Sequence, residues 1–394
     1  MSASSERPVR FAKRTNWILS SNELMTALQK LRDEKVTIFD LTESNPTRCQ
    51  FKYPQDKILS ALASVKNLAY EPNPRGSLAA REAIAKYYQA KKFDVSPEEI
   101  FLTSSTSEGY SYLFRLLADV DDEVLFPQPS YPLFQYLVDL NDLKINFYPL
   151  TYADSWHMNL EQLDGQINSK TKAIVVVNPN NPTGSFIKKS ELKQLSAICK
   201  QRNIPIIADE VFYDFGFDDS PEESLVNNHE VLTFVLGGVS KTLALPQMKL
   251  SWIIVKGPKE LVKAANERLE IIADTYLSVN APTQNAFSEW LLLKDEIQNE
   301  VRERLKRNYD FIKKEVAQSK SCQLLKTEGG WYAVLRLPDD IDEEDFVLQL
   351  LREDHVFVHP GYFFDFEEGA HLVLSLLAPF DIFCDGVKRL VNRI

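Results

Sequence analysis

Short apolar segments alternate with longer segments of helical periodicity through the first two thirds of the chain. The apolar segments lie at 100–103, 123–126, 145–150, 173–177, 204–208, 231–236 and 250–255. Helical segments between them are predicted at 108–118, 133–140, 160–166 and 188–201. Because segments such as AIVVV and IPIIA are apolar at nearly every position, these strands are expected to be buried on both faces. The alternation predicts an α/β fold with a mostly parallel, seven-stranded sheet covered by helices.

The last third of the chain has a different pattern. A long amphipathic helix is predicted over 295–319. It is followed by short strands at 331–337, 356–358 and 372–376 and by helices at 343–352 and 382–391. This predicts a smaller α+β domain, and a helix at 21–33 is expected to join it. The predicted division is an N-terminal arm with part of the small domain (1–49), a large domain (50–280) and a small C-terminal domain (281–394).

Composition excludes several classes of function. The 56 acidic and 45 basic residues give a net charge of -11, so the chain has no global attraction for nucleic acid or anionic membranes. No segment approaches the roughly 20 apolar residues that span a bilayer, and the N-terminus lacks the apolar core of a secretory signal. The four cysteines are far apart and the histidines do not cluster, which predicts a cytoplasmic chain without a metal site.

Chemically active residues follow five of the predicted strands directly. They are the hydroxyls of Ser105, Thr106 and Ser107, the ring of Tyr131, the amide of Asn181, the carboxylate of Asp209 and the amine of Lys241. Ligands of open parallel sheets bind beyond the carboxyl ends of the strands, so these groups are expected to meet at one edge. No GxxxxGK[ST] or GxGxxG motif is present, which argues against a P-loop NTPase and a nicotinamide enzyme.

This set of groups meets the requirements of pyridoxal phosphate (PLP). A lysine amine forms a Schiff base with an aldehyde, and a carboxylate keeps the pyridine nitrogen protonated. Backbone N–H groups at a helix N-terminus bind the phosphate. A donor can contact the phenolic oxygen, and an aromatic side chain can stack on the ring. The sequence offers one candidate for each of these roles.

A series of motifs adds a resemblance to a known family. In order they are YEPNPRGSLAAREAIAKYY, FLTSSTSEG, FPQPSYP, VVVNPNNPTG, IIADEVFYDF and GGVSKTLALPQMKLSW. In this order, with 28 residues from Asn181 to Asp209 and 32 from Asp209 to Lys241, the chain resembles a class I/II aminotransferase over most of its length. The resemblance implies the aspartate aminotransferase fold (PLP fold type I). It also implies amino-group transfer between an amino acid or amine and a keto acid, in a homodimer with sites at the subunit boundary.

The resemblance also assigns roles to individual residues. Lys241 matches the Schiff-base lysine that moves the proton, and Asp209 matches the partner of the pyridine nitrogen. The remaining implied cofactor contacts are Ser105, Thr106, Ser107, Tyr131, Asn181, Lys249 and, from the neighbouring subunit, Tyr70. The large domain at 50–280 is then the cofactor-binding domain.

Four positions depart from the family pattern. Phe212, Gly238 and Lys249 stand where a tyrosine, a serine and an arginine are usual. The largest departure is Val373, which occupies the place of an arginine that binds the substrate α-carboxylate. Arg48 is the first candidate to replace that arginine, and Arg75 is the second.

Two alternatives stay open at this point. A PLP-dependent lyase or synthase uses the same lysine and aspartate, and only substrate contacts select the bond that breaks. A non-catalytic PLP-binding protein is a different class, and relatives of that kind usually carry an N-terminal DNA-binding domain. The N-terminal segment shows little basic patterning, which argues against the non-catalytic class. Transamination is the expected reaction, and the lyase or synthase remains the alternative.

Overall fold

The computed structural model describes residues 10–218, 223–277, 279–319 and 322–394. The strands in these ranges are β1 Phe39–Asp40, β2 Ile100–Thr103, β3 Glu123–Gln128, β4 Lys144–Tyr152, β5 Trp156–Met158, β6 Thr171–Val177, β7 Ile206–Asp209, β8 Thr233–Gly238, β9 Ser251–Lys256, β10 Gln323–Leu324, β11 Tyr332–Arg336, β12 Val356–Phe357, β13 His359–Pro360 and β14 His371–Ser375. The α-helices are α1 Glu23–Asp33, α2 Gln55–Ala61, α3 Leu78–Ala90, α4 Thr106–Leu117, α5 Leu133–Leu140, α6 Leu160–Gln166, α7 Lys189–Arg202, α8 Val239–Thr242, α9 Lys259–Tyr276, α10 Ala281–Leu292, α11 Lys294–Ser319, α12 Glu343–Asp354 and α13 Phe380–Arg393. No helix in the described ranges is long and apolar enough to cross a bilayer.

The large sheet has the strand order β2-β9-β8-β7-β6-β3-β4-β5. Strands β4, β3, β6, β7 and β8 are parallel, whereas β9 is antiparallel to both of its neighbours and β5 is antiparallel to β4. The predicted α/β fold with a mostly parallel sheet is confirmed. The sheet also contains an eighth strand, β5, which was not predicted. Its three residues are too few to show the alternation of a strand.

Both faces of this sheet are buried, as the apolar runs predict. In β6, Ile174 and Val176 pack into one hydrophobic cluster, while Ala173 and Val175 pack into another. Strand β7 begins at Ile206 instead of 204, because Ile204 is buried but its backbone N–H donates to the Cys199 carbonyl of α7 and not to a neighbouring strand. Apolar character therefore locates each strand, and backbone pairing sets its ends.

A second sheet, in the order β10-β11-β14-β13, is antiparallel throughout. N-terminal elements lie beside the C-terminal ones, since β1 pairs with β12 and α1 packs on α12. The domain limits at residues 49 and 280 remain a prediction. The amphipathic pattern of 295–319 corresponds to α11, which buries Ile297, Val301, Leu305, Ile312 and Val316.

One edge of the large sheet gathers the ends of the central strands. Gly238, at the end of β8, is opposite Ser251, which is in turn opposite Thr103 at the end of β2. Asp209, at the end of β7, is opposite Val177 at the end of β6. The strand ends that carry the predicted groups therefore lie in one row.

Candidate active site

Asp209 is the last residue of β7, and its carboxylate is buried. Its Oδ2 accepts a hydrogen bond from the Tyr110 hydroxyl at 3.1 Å, and its Oδ1 accepts one from the backbone N–H of Val211 at 3.2 Å. Burial raises the pKa of Asp209 to about 6, while these two donors and the charge of Lys241 oppose the increase. The end of β7 thus holds a buried acid within electrostatic range of the predicted lysine.

Lys241 lies on the short helix α8, which begins directly after β8. Its Nζ is 5.0 Å from the centre of the Phe212 ring and 4.5 Å from that of Trp331. Burial lowers the pKa of Lys241 to about 8, although the charge of Asp209 acts in the opposite direction. The amine therefore has a larger neutral fraction near physiological pH than a solvated lysine, as a nucleophilic amine needs.

The predicted phosphate-binding residues form the N-terminus of α4. Ser105 caps this helix, because its side-chain oxygen accepts a hydrogen bond from the N–H of Glu108 at 3.1 Å. Thr106 and Ser107 are the first two helical residues, and Ser107 is exposed. Backbone N–H groups at such a helix end, together with the helix dipole, favour an anion.

Asn181 and Tyr131 lie in the loops that follow β6 and β3. The Asn181 side chain is buried, and its Oδ1 finds no hydrogen-bond partner within the described ranges. Tyr131 is close enough to Asp209 for that charge to add to burial in raising the pKa of the Tyr131 phenol. The fold thus brings Tyr131 within electrostatic range of Asp209, and it starts the Asn181 loop beside the end of β7, where the N–H of Asn178 donates to the Asp209 carbonyl.

Two of the predicted phosphate contacts lie at the surface. Lys249 is exposed, in a left-handed backbone conformation with φ 53°, two residues before β9 begins at the same sheet edge. Tyr70 is 75% exposed, just after the 3₁₀ helix Val65–Leu68. Its predicted role requires a neighbouring subunit, so it remains a prediction.

The two candidate arginines have different surroundings. The Arg48 side chain is 74% exposed, and its Nη1 is 3.7 Å from Oε2 of Glu43, so it is only loosely held. Arg75 is firmly engaged, because its Nε pairs with Glu270 at 2.5 Å and its guanidinium lies 4.8 Å from the Phe101 ring centre. Of the two, Arg48 is therefore the freer to meet a ligand.

The structure shows what surrounds two of the departures from the family pattern. Phe212 packs edge to face on Trp331, with ring centres 5.3 Å apart. The ring of the next residue, Tyr213, packs instead on Phe93 and Phe186.

At Gly238, an added Cβ would collide with Oγ of Ser251. The space that a serine side chain would need at this position is taken by a hydroxyl from the neighbouring strand. Ser251 is itself buried. The absence of a side chain at Gly238 therefore follows from how closely β8 and β9 approach here.

Val373 lies in the middle of β14 and is fully buried. Its register partners are Val334 on β11 and His359 on β13. Burial lowers the pKa of His359 to about 4, against the opposing charge of Asp40, so this imidazole is neutral at physiological pH. The position that an arginine usually fills thus has neutral register partners on both sides.

Two residues of the site were missed by sequence reasoning. Tyr110 donates to Asp209 and is buried on the inner face of α4 beside Phe114 and Phe134. The only indication of this role in the sequence is that Tyr110 places a hydroxyl on the apolar face of a predicted helix. Trp331 precedes β11, 90 residues after Lys241 in the chain, so no local pattern places it beside the amine.

The residues present fit PLP. A buried acid, a partly buried amine, a capped helix N-terminus and an amide whose oxygen has no hydrogen-bond partner among the described residues occur together at one sheet edge. The orphaned Oδ1 of Asn181 matters here, because buried polar atoms normally have partners and the amide can turn to present either end. No group of three or more potential metal ligands exists among the residues that the structure describes.

A protein-family model described as aminotransferase class I and II matches residues 36–375. The chain belongs to this family. It is 28% identical over 367 residues to the glutamate-pyruvate aminotransferase AlaA of Haemophilus influenzae, with 88% of each chain covered. It is 27% identical to the alanine aminotransferase of Mycobacterium tuberculosis, covering 92% of this chain and 87% of that protein.

Solved structures agree with this assignment. The alanine aminotransferase of Pyrococcus furiosus matches with a TM-score of 0.88 and 25% identity, over 97% of this chain and 99% of that one. An Escherichia coli aminotransferase matches with a TM-score of 0.83 and 26% identity, over 98% of both chains. This class I and II aminotransferase is therefore a PLP-dependent enzyme that moves an amino group between an amino acid and a keto acid.

Proposed function

We propose that Lys241 and Asp209 are the catalytic pair of this aminotransferase. The observation that carries the proposal is that a partly buried amine and a buried carboxylate lie within electrostatic range of each other at the carboxyl edge of the sheet. Burial moves both pKa values toward neutrality, to about 8 for Lys241 and about 6 for Asp209. Groups with such values exchange protons near physiological pH more readily than solvated lysines and aspartates.

When bound, PLP supplies an aldehyde that takes up an amine and a ring that draws electrons from the substrate carbon. Asp209 would face the ring nitrogen and keep it protonated. The N–H groups of Thr106 and Ser107, with the charge of Lys249, would hold the phosphate. Asn181 would donate to the phenolic oxygen, and Tyr131 would pack on the ring.

Lys241 would carry the proton. Its neutral Nζ accepts a proton from the substrate carbon and returns it at a different atom, which converts an amino acid into a keto acid. Burial supports this exchange, because an amine shielded from water keeps the proton within the site.

We propose alanine or glutamate as the amino donor and pyruvate or the keto acid of glutamate as the acceptor. Support comes from the two relatives, whose names include glutamate, pyruvate and alanine. The keto acid of glutamate is the product that glutamate forms when it donates its amino group. Because Val373 brings no charge, we propose that Arg48 contacts the substrate carboxylate. Its weak pairing with Glu43 at 3.7 Å leaves the guanidinium able to turn toward a ligand.

We also propose a homodimer in the cytoplasm. The Leu68 patch consists of Val65, Leu68, Tyr70 and Leu292, which are 75–89% exposed. The two segments that carry it are joined where Nδ2 of Asn285 donates to Oδ1 of Asn67 at 2.8 Å. An exposed apolar patch of this kind favours a protein partner.

The cytoplasmic location is proposed from the cysteines. All four are free, as is usual for a protein of a reducing compartment.

The test is amino-group transfer from alanine to 2-oxoglutarate by the PLP-loaded enzyme. We expect Lys241→Ala to lower turnover by at least about 100-fold, because a positioned proton carrier is removed, and to leave folding intact. Lys86→Ala, which changes an exposed lysine on α3, is the control and should retain full turnover. Unimpaired transfer by Lys241→Ala would refute the role of Lys241, and ammonia release without an acceptor would indicate elimination instead.

A further inference from the structure

The Nζ of Lys241 lies in a corner formed by two aromatic rings. The ring centres of Trp331 and Phe212 are 4.5 and 5.0 Å from this nitrogen. The rings meet edge to face at 69°, and Phe215 supports the far side of Trp331 with ring centres 5.2 Å apart. All three rings are buried, so the corner is set by packing. We call Phe212 and Trp331 the aromatic corner.

An aromatic corner stabilises a cation that otherwise has little support. Burial disfavours the ammonium form of Lys241, and the charge of Asp209 is the opposing influence. An ammonium within about 6 Å of a ring centre is attracted by the ring quadrupole, most strongly by that of tryptophan. Two rings at this distance therefore add a second source of support for the charged amine.

Trp331 has a feature that simple core packing does not explain. Its Nε1–H is buried and has no hydrogen-bond partner in the ranges that the structure covers. A buried donor without a partner is unfavourable, and a phenylalanine or leucine would fill much of this space without one. The choice of tryptophan becomes understandable if its ring face has a function at this position.

We propose that the aromatic corner is the resting place of the free Nζ of Lys241, and that Phe212 and Trp331 are positioning residues that hold this nitrogen as a cation between proton transfers. The proposal rests on the proposed function of Lys241 as the proton carrier. It also accounts for Phe212 in place of the usual tyrosine. Only the ring face is needed here, and the hydroxyl is dispensable.

The test measures the protonation of Lys241 in the apoenzyme, where activity plays no part. Competitive labelling of lysines with an acylating reagent across pH 6–11, followed by mass spectrometry of the Lys241 peptide, yields the pKa of the amine. We expect Trp331→Leu and Phe212→Leu each to lower it by about one unit, because a ring face is lost. Trp331→Phe and Phe212→Tyr keep a ring and should lie within a few tenths of the wild type.

Phe215→Leu is the matched control, because Phe215 packs on Trp331, whereas the rings that Nζ of Lys241 contacts in the described part of the chain are those of Phe212 and Trp331. It should leave the Lys241 pKa unchanged. If Phe215→Leu lowers the Lys241 pKa as much as Trp331→Leu does, the effect comes from packing and the proposal is overturned. The proposal is also overturned if Trp331→Leu and Phe212→Leu both leave the Lys241 pKa unchanged. If Trp331→Leu does not fold, Phe212→Leu and its rescue by tyrosine decide the question.

The outcomes separate the two proposals. Transfer activity of Lys241→Ala tests whether this amine carries the proton at all. The labelling experiment tests only whether Phe212 and Trp331 stabilise the charged amine of Lys241. An inactive Lys241→Ala with an unchanged pKa in the corner variants would leave the catalytic role in place and remove the positioning role.

Discussion

At the residue scale, burial and a few contacts determine the pKa of Asp209. Its carboxylate accepts one hydroxyl and one backbone N–H, and burial outweighs both, so its pKa is raised to about 6. The folded state therefore holds the Asp209 proton between pH 3.8 and about 6, where the unfolded chain releases it. The stabilisation that this proton provides is present below pH 3.8 and is lost as pH rises through 6.

We predict that Tyr110→Phe raises the pKa of Asp209 by roughly half a unit to one unit, because the mutant lacks a donor that favours the carboxylate. In the apoenzyme, the fall in unfolding free energy should then extend above pH 6. Urea unfolding at a series of pH values measures this. Tyr148→Phe is the control, since it removes a buried hydroxyl that donates to the Val175 carbonyl at 2.8 Å and leaves Asp209 untouched. Identical pH profiles for the two variants would contradict the prediction.

At the element scale, α4 links the anion-binding end of the site to the acid. Its first turn is closed by Ser105 and Glu108, and its second turn places the Tyr110 hydroxyl on Asp209. The position of the cap therefore sets the position of both the helix N–H groups and the acid's donor. Removal of the Ser105 cap should therefore weaken ligand binding as well as lower the free energy of unfolding.

We predict that Ser105→Ala lowers the unfolding free energy by about 1 kcal/mol and also weakens PLP binding. Ser77→Ala is the matched control, because Ser77 caps α3 by accepting from the N–H of Ala80 at 3.3 Å, outside the predicted site. Both variants should lose similar stability in urea, but only Ser105→Ala should lose affinity for PLP in a fluorescence titration. Equal PLP affinities would show that the cap has no part in phosphate binding.

At the scale of the whole molecule, the Leu68 patch is an exposed apolar surface of the kind that protein partners cover. The 3₁₀ helix Val65–Leu68 and the end of α10 present large apolar side chains to solvent on adjoining segments. Tyr70, the predicted phosphate contact, belongs to the same patch. Dimerisation through this surface would bury the patch and bring Tyr70 toward a second chain.

We predict that Leu68→Asp converts a dimer into a monomer, because it places a charge in the proposed interface. Light scattering after size-exclusion chromatography should give twice 45.1 kDa for the wild type and 45.1 kDa for the variant. Val120→Asp changes an equally apolar exposed residue between α4 and β3 and should stay dimeric. A wild-type chain that elutes as a monomer would refute the proposed homodimer.

The sequence by itself determined the α/β architecture and which chemical groups follow each strand. Both depend on local information: apolar runs mark strands, and the residue after each strand is read directly from the chain. It was thus sufficient to predict that Asp209 ends one strand and that Lys241 follows the next strand along the chain, at the same edge of the sheet.

Only the tertiary structure decided what surrounds those groups. Trp331 reaches Lys241 from a different sheet, Tyr110 turns inward from α4, and Arg48 stays at the surface beside Glu43. Burial and contact between distant segments control pKa values and ring geometry, and neither quantity is encoded in any short stretch of chain. The pKa values of the site and the aromatic corner therefore depend on the tertiary contact between the segment that precedes β11 and the segment that follows β8.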